Sequence, residues 1–506
     1  MPESMGSGVT LFDFDADGDA DILFSNCSGF VDAAGSIGGR SMLLRNDGNW
    51  RFVDITQQSG LDIPLYAMGA TAADYDADGD PDLLFYNYGG ITLLRNDDQV
   101  YKDVSQSVGL EPLGWTNTRG QQGPEWATGA VVFDADGDLD LDFLVIQYVK
   151  WSPQADIFTT YDTEHKTYTS PRSYAGQSVV LWLQDAGRFV NATTNSGLAL
   201  EAKALGIALW DFDHDNRLDV VVANDTKANF LFHNLGGGKF QNVAVAAQIA
   251  YDRDGNTRAG MGIDIADYLN NNAAAIAIGN FSKEPTSFFR QKETWRFAED
   301  SQSTGIAKPT LPMLTFGLVF ADMDLDGWQD IVTVNGHVEP NIEDAYPNER
   351  YRQSMQLLSN SADGRFVDIS HQHPSLMQAL VGRGLATADL DNDGDLDLIA
   401  TSNNGKPRLL ENTLNSRRFV RIQLQGKRPN PEAIGARIWL HTDKRIQQRI
   451  VRNAGSYLSQ SELIQTFGIS PEDKLLKLEV LWPNNVRTSH SLVSSDKLLL
   501  LIQQDK

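Results

Sequence analysis

Apolar residues occur in short runs along the whole chain, and Asp, Asn and Gly separate one run from the next. MGATAADYD at Met68 is followed by the apolar run DLLFYN at Asp82, then by LLRND at Leu93. Elsewhere the same unit ends in a fourth run such as RFVDIT (51–56) or RFVDIS (365–370). The spacing i, i+3, i+4 expected of helices is absent, so the pattern predicts units of four short antiparallel strands.

A nine-residue acidic loop stands between the first two strands of each unit. DFDADGDAD begins at Asp13, and copies follow from residues 74, 211, 322 and 389. Two further copies are degenerate: VFDADGDLD from Val132 lacks the first Asp, and DYLNNNAAA from Asp267 keeps almost none of the Asp residues. Seven copies about 63 residues apart predict a seven-bladed β-propeller.

The crowded carboxylates predict a bound cation. Two carboxylates about 4 Å apart repel by roughly 4 kcal/mol at an effective dielectric constant near 20. Asp at loop positions 1, 3, 5 and 9, a main-chain oxygen at 7 and glycine at 6 supply the hard oxygen ligands of Ca²⁺, whereas Mg²⁺ rarely uses an all-protein cage. An EF-hand is excluded because position 12 is never Glu and strands flank the loop. The alternative is a set of Asp/Gly turns without metal, although a turn needs one or two Asp and not four.

We therefore expect five structural calcium sites in the complete loops, with the third loop as a possible sixth and no ion in the fifth. The candidate ligands, loop by loop, are Asp13, Asp15, Asp17, Asp19 and Asp21; Asp74, Asp76, Asp78, Asp80 and Asp82; Asp134, Asp136, Asp138 and Asp140, with Asp142 as a further candidate; Asp211, Asp213, Asp215, Arg217 and Asp219; Asp322, Asp324, Asp326, Trp328 and Asp330; and Asp389, Asp391, Asp393, Asp395 and Asp397. Arg217 and Trp328 stand at position 7 and would contribute only their carbonyl oxygens.

Composition restricts the partners. The 506 residues include 67 acidic and 42 basic side chains, a formal charge of −25, which argues against nucleic acid or an anionic membrane surface as the main partner. The sequence contains no apolar run long enough to span a membrane, and its first residues lack the layout of a signal peptide. The single cysteine, Cys27, excludes an intrachain disulfide framework.

The C-terminal part differs in charge. Residues 417–506 contain 15 Lys and Arg against 8 Asp and Glu, net +7, whereas residues 1–416 contain 27 against 59, net −32. Five apolar or alternating runs, FVRIQLQ, ARIWLHT, QRIVRN, LKLEVLWP and KLLLLIQ, predict a small β-sandwich. We expect an all-β chain with a propeller over 1–415 and this second domain over 416–506, docked by opposite charge and serving either as a cap or as a binding module.

Two insertions provide the candidate binding surface. They occupy residues 147–177 and 336–353, between the second and third strands of their units, and so should project from the face opposite the acidic loops. The first carries Tyr148, Trp151, Phe158, Tyr161, Tyr168 and Tyr174, and the second carries His337, Glu339, Glu343, Asp344, Tyr346, Arg350, Tyr351 and Arg352. Aromatic and polar residues together suit a protein or glycan partner, and the alternative is that they pack over the propeller channel.

Catalysis has weak support in the sequence. The G-x-S-x-G elbow, the P-loop and the H-E-x-x-H motif are absent. His337 is the residue to test if an activity appears, and His371 and His373 in HQHP are more often surface residues than metal ligands. The alternative to a binding protein is an enzyme that acts on a polysaccharide through the channel or the insertion face.

The repeats resemble the FG-GAP repeats of integrin α-subunit propellers, and the segment after Asn412 resembles the ASPIC/UnbV domain. The matching residues there are IGARIWL (434–440), GSYLSQSE (455–462), FGIS (467–470) and VLWPNNVR (480–487), and SPRSYAGQ (170–177) and NGHVEP (335–340) match within the propeller. The combination is similar to the cartilage acidic protein family and its bacterial relatives. The resemblance implies a calcium-binding, adhesion-type protein outside the cell or in the periplasm. Relatives carry a blade strand and a secretion signal ahead of the first loop, so either the start is truncated or the first and last blades close differently.

Overall fold

The computed structural model describes residues 1–27, 39–160, 166–413, 418–491 and 494–504, and β-strands account for nearly all of their regular structure. The helices in these ranges are single turns: the α-helices Thr193–Ser196, Ala307–Thr310 and Ile342–Ala345, and the 3₁₀ helices Pro2–Ser4, Pro153–Ala155, Pro171–Ser173 and Ser370–Gln372. None of the described helices has the length and apolar character that crossing a bilayer requires.

Each acidic loop lies in its own antiparallel sheet, and these sheets are numbered here as blades 1–7 in chain order. Their strands are Val9–Phe12, Asp21–Phe24, Met42–Asn46 and Phe52–Asp54 in blade 1; Ala67–Ala73, Asp82–Asn87, Gly90–Asp97 and Val100–Asp103 in blade 2; Ala127–Phe133, Asp142–Gln147, Val180–Asp185 and Arg188–Asn191 in blade 3; Ala204–Trp210, Asp219–Asn224, Phe230–Gly236 and Lys239–Asn242 in blade 4; Gly260–Ala266, Ala275–Asn280, Ser287–Glu293 and Arg296–Glu299 in blade 5; Thr315–Ala321, Asp330–Asn335, Gln356–Asn360 and Phe366–Asp368 in blade 6; and Gly382–Ala388, Asp397–Ser402 and Arg408–Leu410 in blade 7. Short ribbons pair Gly39–Arg40 with Pro64–Leu65, Trp115–Thr116 with Gln122–Gly123, Thr159–Thr160 with Lys166–Thr167, and Gln177–Ser178 with Glu201–Ala202.

The first strands of the blades form a closed ring. Each contacts the first strand of the next blade, and Gly382–Ala388 of blade 7 contacts Val9–Phe12 of blade 1. These inner strands are buried and consist mostly of small and apolar residues, as in AMGATAA of blade 2, and the charged exceptions are Asp264 in blade 5 and Arg383 in blade 7. The predicted all-β propeller is therefore confirmed, and blade 1 draws its four strands from one continuous part of the chain.

Side-chain amides connect neighbouring blades. In six blades an Asn or Gln on the third strand, or two residues beyond it in blade 7, has an NH₂ group that donates to the carbonyl of the second loop residue in the preceding blade. Among the described residues these bonds are Gln184 to Tyr75 (3.2 Å), Asn234 to Ala135 (3.4 Å), Gln291 to Phe212 (2.9 Å), Asn360 to Tyr268 (2.9 Å), Asn412 to Met323 (2.9 Å) and, across the closure, Asn46 to Leu390 (2.8 Å). The repeated LLRND-type segments are thus the sequence signal of the junctions between blades.

The C-terminal part forms two facing sheets around its own apolar core. One sheet holds Gln465–Ile469, Arg418–Gln425 and Lys497–Ile502, and the other holds Ile446–Ile450, Arg437–Thr442, Leu475–Leu481 and Arg487–Ser491. The five predicted strands are present, and two more, Gln465–Ile469 and Arg487–Ser491, were not predicted. The proposed boundary at 415/416 lies outside the described residues.

One segment of the sandwich enters the centre of the propeller. This channel segment, Arg452–Glu462, contacts the inner strands of several blades: Ile263 pairs with Ser456, and Thr10 with Gln460. Tyr457 is fully buried, and its hydroxyl donates to Met5 O (2.7 Å). This insertion could not be predicted from sequence patterns, because GSYLSQSE has neither the length nor the pattern of a regular element.

We expect Asn46→Leu to destabilise the propeller at its closure. The substitution leaves buried hydrogen-bonding groups of Leu390, Ala20 and Gly48 unpaired, which should reduce the free energy of unfolding by roughly 2–4 kcal/mol. Thermal or urea unfolding measures the loss. Gln241→Leu, on an exposed position of an outer strand, is the control. Equal stability of the two variants would contradict a structural role for the amide junctions.

Candidate metal centres and the opposite cleft

The last aspartate of the loop is a buried structural anchor. In blade 1, Asp21 is fully buried, and its two oxygens accept the N–H groups of Phe14 in the loop and Asn46 on the third strand, each at 2.7 Å. One carboxylate thus ties the loop to the strand that carries the inter-blade amide. The two backbone dipoles that point at the carboxylate offset part of the cost of burying it.

The same geometry recurs in six blades at donor–acceptor distances of 2.7–3.2 Å. The carboxylates are Asp21, Asp82, Asp142, Asp219, Asp330 and Asp397. Burial raises the pKa of Asp82 to about 9 and the pKa of Asp21 to about 7, and neighbouring loop carboxylates add to both shifts. These residues were predicted as metal ligands, and the structure gives them a second task that does not require metal.

The first aspartate shapes the turn. Asp13 accepts the N–H groups of Asp17 (3.1 Å) and Gly18 (3.0 Å), and Gly18 has φ +94°, the left-handed conformation that glycine adopts without strain. Asp74, Asp211, Asp322 and Asp389 accept the equivalent pairs of bonds. In the fourth loop Asn216 replaces the glycine and also has positive φ (+74°), as expected from the sequence.

The predicted alignment of the third loop is wrong by two residues. Asp142, not Asp140, makes the anchor, because its oxygens accept the N–H groups of Ala135 and Gln184. The loop therefore runs from Asp134 to Asp142 as DADGDLDLD and does not lack its first Asp. Leu139 occupies the left-handed position (φ +80°) where glycine was expected, and Asp140 stands at the main-chain ligand position. The two-residue shift is not visible in the sequence, because DADGD matches the repeat better when Gly137 is aligned with the position-6 glycine of the other loops.

In blades 1 and 2, the aspartate at loop position 3 has the properties of an open ligand. Oδ1 of Asp15 and Oδ1 of Asp76 are buried and accept no hydrogen bond from the described residues. In blades 1 and 2, the carboxylates at positions 1, 3 and 5 bring one oxygen each within 4.8 Å of one another, as do Asp134, Asp136 and Asp142 in blade 3. A buried oxygen without a donor is costly, so these acidic clusters fit a hard cation such as Ca²⁺.

The fifth loop, which begins at Asp267, shows which features of the loop persist when most of its acidic residues are replaced. Asp267 still accepts the N–H groups of Asn271 (2.9 Å) and Asn272 (2.8 Å), so the turn is retained. Positions 3 and 9 are Leu269 and Ala275, and the loop is tied to the third strand at a different point, because the side-chain oxygen of Gln291 accepts Ala274 N at position 8 (2.9 Å). The aspartate at position 1 therefore serves the turn, and a carboxylate at position 3 is dispensable for folding the loop. At position 5, Asn271 still accepts Ala273 N (3.1 Å), as Asp17 accepts Asp19 N in blade 1.

The basic sandwich covers the acidic loops and contacts the first aspartate of four of them. Arg437 pairs with Asp211 (2.8 Å), Arg421 with Asp389 (2.9 Å), Gly468 N donates to Asp322 (3.1 Å), and Glu432 accepts Asp74 N (3.0 Å). The predicted docking by opposite charge is thus seen at individual residues. Sequence reasoning missed these arginines because alternation predicts a strand face but not the partner that the face meets.

The insertions meet at the other end of the blades. Tyr168 N donates to Glu339 Oε2 (3.1 Å), which joins the two insertions. Together with blades 1 and 7 they line a cleft of about 1550 Å³, whose described walls include Tyr351, Asn341 and Asn403. The cleft lies on the face opposite the acidic loops, where the insertions were expected, and Tyr161 falls outside the described residues.

The predicted surface aromatics divide into three groups. Tyr148, Trp151 and Tyr174 are buried, although Trp151 still forms part of the cleft wall, whereas Phe158 and Tyr346 are 67% and 46% exposed. For the buried group, the alternative prediction that the aromatic side chains serve packing and not partner binding is therefore the better one. Tyr168 and Tyr351 are partly exposed and line the cleft.

The candidate histidines show no catalytic arrangement. His337 is buried against Phe281, its Nδ1 accepts Glu339 N (3.0 Å), and burial lowers its pKa to about 4. It is therefore neutral at pH 7 and already hydrogen-bonded. His371 and His373 lie exposed at the turn Ser370–Gln372.

Comparisons with known proteins agree with this architecture. Residues 13–85 match the FG-GAP-like repeat, and residues 426–506 match ASPIC and UnbV. Cartilage acidic protein 1 of Mus musculus is 23% identical over 537 residues, covering 100% of this chain and 75% of that protein. The Homo sapiens protein is 23% identical over 522 residues, covering 98% and 71%.

Solved structures with a similar chain course include an Agrocybe aegerita lectin that recognises non-reducing terminal N-acetylglucosamine, with a TM-score of 0.30 and 14% identity over 81% of this chain and 82% of the lectin. Another is a Bacillus licheniformis rhamnogalacturonan lyase, with a TM-score of 0.32 and 10% identity over 82% and 90%. The family matches and the relatives confirm the predicted resemblance: this chain combines FG-GAP-like repeats with an ASPIC and UnbV segment, and it is similar along nearly its whole length to cartilage acidic protein 1.

Proposed function

We propose that this chain is a calcium-stabilised, non-enzymatic propeller protein of the extracellular space or periplasm that binds a protein or glycan in the cleft between its insertions. The observation that carries the proposal is the division of its two faces. The acidic-loop face lies under the sandwich, and the opposite face carries an open cleft.

Calcium is supported by the ligand chemistry of the loops. Without a cation, carboxylates gather where burial already raises their pKa, to about 6 for Asp13 and Asp74. The buried oxygens of Asp15 and Asp76 fit a cation with many oxygen ligands. In the Ca²⁺-bound form the ion would clamp the first hairpin of each such blade. Millimolar calcium outside the cell suits sites of this kind, which supports the proposed location.

The cleft supports a binding role. Its volume exceeds the 300–1,000 Å³ typical of small-molecule pockets, so it suits an extended ligand such as an oligosaccharide or a protein loop. Tyr168 and Tyr351 offer partly exposed rings, and the side chains of Asn341 and Asn403 can hydrogen-bond hydroxyl or peptide groups.

The enzymatic alternative, action on a polysaccharide, has less support. The channel segment fills the centre of the propeller, so the channel offers no room for a substrate among the described residues. In the cleft, Asp156 is paired with Lys166 and accepts hydrogen bonds from Trp151 and Tyr174. Glu339 accepts a hydrogen bond from Tyr168 N.

Calcium should raise the melting temperature strongly and specifically. Binding only to the folded state adds about 2.7 kcal/mol per site at a hundredfold excess over the dissociation constant, so several filled loops give a large shift. Calorimetry of the chelated protein, with excess Ca²⁺ and with Mg²⁺ as the control, measures it. Absence of a calcium-specific shift, together with no retained metal, would disprove the calcium proposal.

Substitution of two aspartates of blade 2, Asp76 and Asp82, distinguishes metal binding from anchoring of the loop. Asp76→Asn should leave the stability of the chelated protein unchanged or higher, because it removes a crowded charge, and should reduce the calcium-induced shift. Asp82→Asn should cost on the order of 2–3 kcal/mol even without calcium, because an amide NH₂ faces a backbone donor. Unfolding of both variants with and without Ca²⁺ is the measurement. The same effect from both would contradict the division of roles.

Binding in the cleft can be tested on an array of neutral and acidic glycans and on candidate protein partners. Tyr351→Ala should weaken binding at least tenfold, whereas Tyr251→Ala, a partly exposed tyrosine elsewhere on the propeller, should not. Binding that Tyr351→Ala leaves intact would exclude this part of the cleft. Release of shortened saccharides by the unmodified protein would favour the enzymatic alternative.

A further inference from the structure

The loop of blade 4 departs from the others at the strand beside it. The residue just before the third-strand amide is Arg45, Arg95 or Arg290 in blades 1, 2 and 5, and it is Leu183, Ser359 or Glu411 in blades 3, 6 and 7. In blade 4 it is His233, the only residue of this set with an imidazole nitrogen.

His233 points into the acidic loop. Its Nδ1 lies 3.1 Å from Asp219 Oδ1 and 3.8 Å from Asp213 Oδ2, and Asp213, Asp219 and His233 bring one ligand atom each within 4.8 Å of one another. The His233 and Asp213 side chains are 17% and 18% exposed, and the ring lies against Trp295, with centroids 4.4 Å apart. The imidazole is thus held at the loop by packing.

The spacing fits a shared ion. Donors about 2.1 Å from one metal at octahedral or tetrahedral angles are ~3.0–3.4 Å apart. The 3.1 Å separation falls in this range, and the 3.8 Å separation exceeds it by a few tenths of an ångström. One nitrogen and two carboxylate oxygens form a donor set used by Zn²⁺ and its neighbours, whereas Ca²⁺ takes oxygen ligands only.

Other changes in the same loop weaken the calcium cage. Asp215, at position 5, pairs with Arg217, and Asp211, at position 1, pairs with Arg437 at 2.8 Å. Arg437 also donates to Asn216, which replaces the glycine. Two of the four calcium-type carboxylates therefore already have a cationic partner, and the two that do not pair with an arginine are those that face His233.

We propose that the loop of blade 4 binds a divalent transition-metal ion of the Zn²⁺ type through Asp213, Asp219 and His233, in place of the calcium expected from its sequence. The site is independent of calcium in the other loops and of the cleft. The ion would join the acidic loop to the third strand of blade 4 beside Trp295 of blade 5. It would thus be a second, chemically distinct clamp in the same ring.

The test is a titration of the metal-stripped full-length protein with ZnCl₂ in a large excess of Ca²⁺, which keeps oxygen-only sites filled. Calorimetry should give one site, and His233→Asn should weaken it at least tenfold. His214→Asn, which changes the exposed histidine of the same loop, should leave the affinity unchanged. Visible absorption of Co²⁺ at the site should change in His233→Asn and not in His214→Asn.

His233→Arg, which introduces the residue of blades 1, 2 and 5, and Asp213→Asn provide second variants if His233→Asn fails to fold in calcium. Loss of the zinc site in either supports the proposal. Zinc binding that survives in the folded His233 variants, that is lost instead in His214→Asn, or that is absent in excess calcium would overturn it.

Discussion

The structure depends on a buried carboxylate that accepts two backbone N–H groups. In six blades the last aspartate of the acidic loop joins the start of the loop to the third strand, as Asp142 does between Ala135 and Gln184. That contact positions the third-strand amide, and the amide reaches the loop of the preceding blade. A local turn, the sheet of one blade and the junction between two blades therefore share one carboxylate. The two N–H donors offset part of the cost of burying the carboxylate, while burial and the neighbouring loop carboxylates still raise its pKa, to about 7 for Asp21 and to about 9 for Asp82.

The acidic motif combines two tasks, organisation of the loop and supply of carboxylate oxygens to an ion, which cannot be told apart in the sequence. The aspartates at positions 1 and 9 organise the loop, and the position-3 carboxylates of blades 1 and 2, Asp15 and Asp76, each keep a buried oxygen that accepts no hydrogen bond from the described residues. Blade 5 illustrates the division, because Asp267 keeps the turn although Leu269 stands where a ligand would be, and Gln291 ties the loop to the third strand through Ala274 N instead. Metal binding can thus be lost from one blade, or changed in kind as proposed for blade 4, without loss of the ring. A repeat that relied on the ion for its turn would not tolerate such variation.

The repeated features of the fold could be predicted from sequence, and the contacts between repeats and the added domain could not. Short apolar runs around an acidic loop indicate a blade because strand period and turn chemistry are local properties. The third loop was misaligned because Gly137 resembles the sixth-position glycine, whereas the structure places Leu139 there, held by Asp134 (3.0 Å). Arg421 and Arg437 were assigned only to predicted strands. Their partners are acidic residues more than 30 positions away along the chain, and no local pattern encodes such a contact.

The channel segment attaches the C-terminal sandwich to the inner strands of several blades. Arg452 pairs with Asp264 (2.5 Å) on an inner strand, and Gln460 accepts Ala72 N (2.9 Å) on another, so the sandwich is attached to the centre of the ring as well as to its loops. A cap that merely shielded the last blade would contact one side of the propeller. Because this one reaches inner strands of several blades, its removal would expose backbone groups around the channel. The sandwich therefore belongs to the folded unit of the propeller, and its contacts cover the acidic-loop face and the channel but not the insertion face.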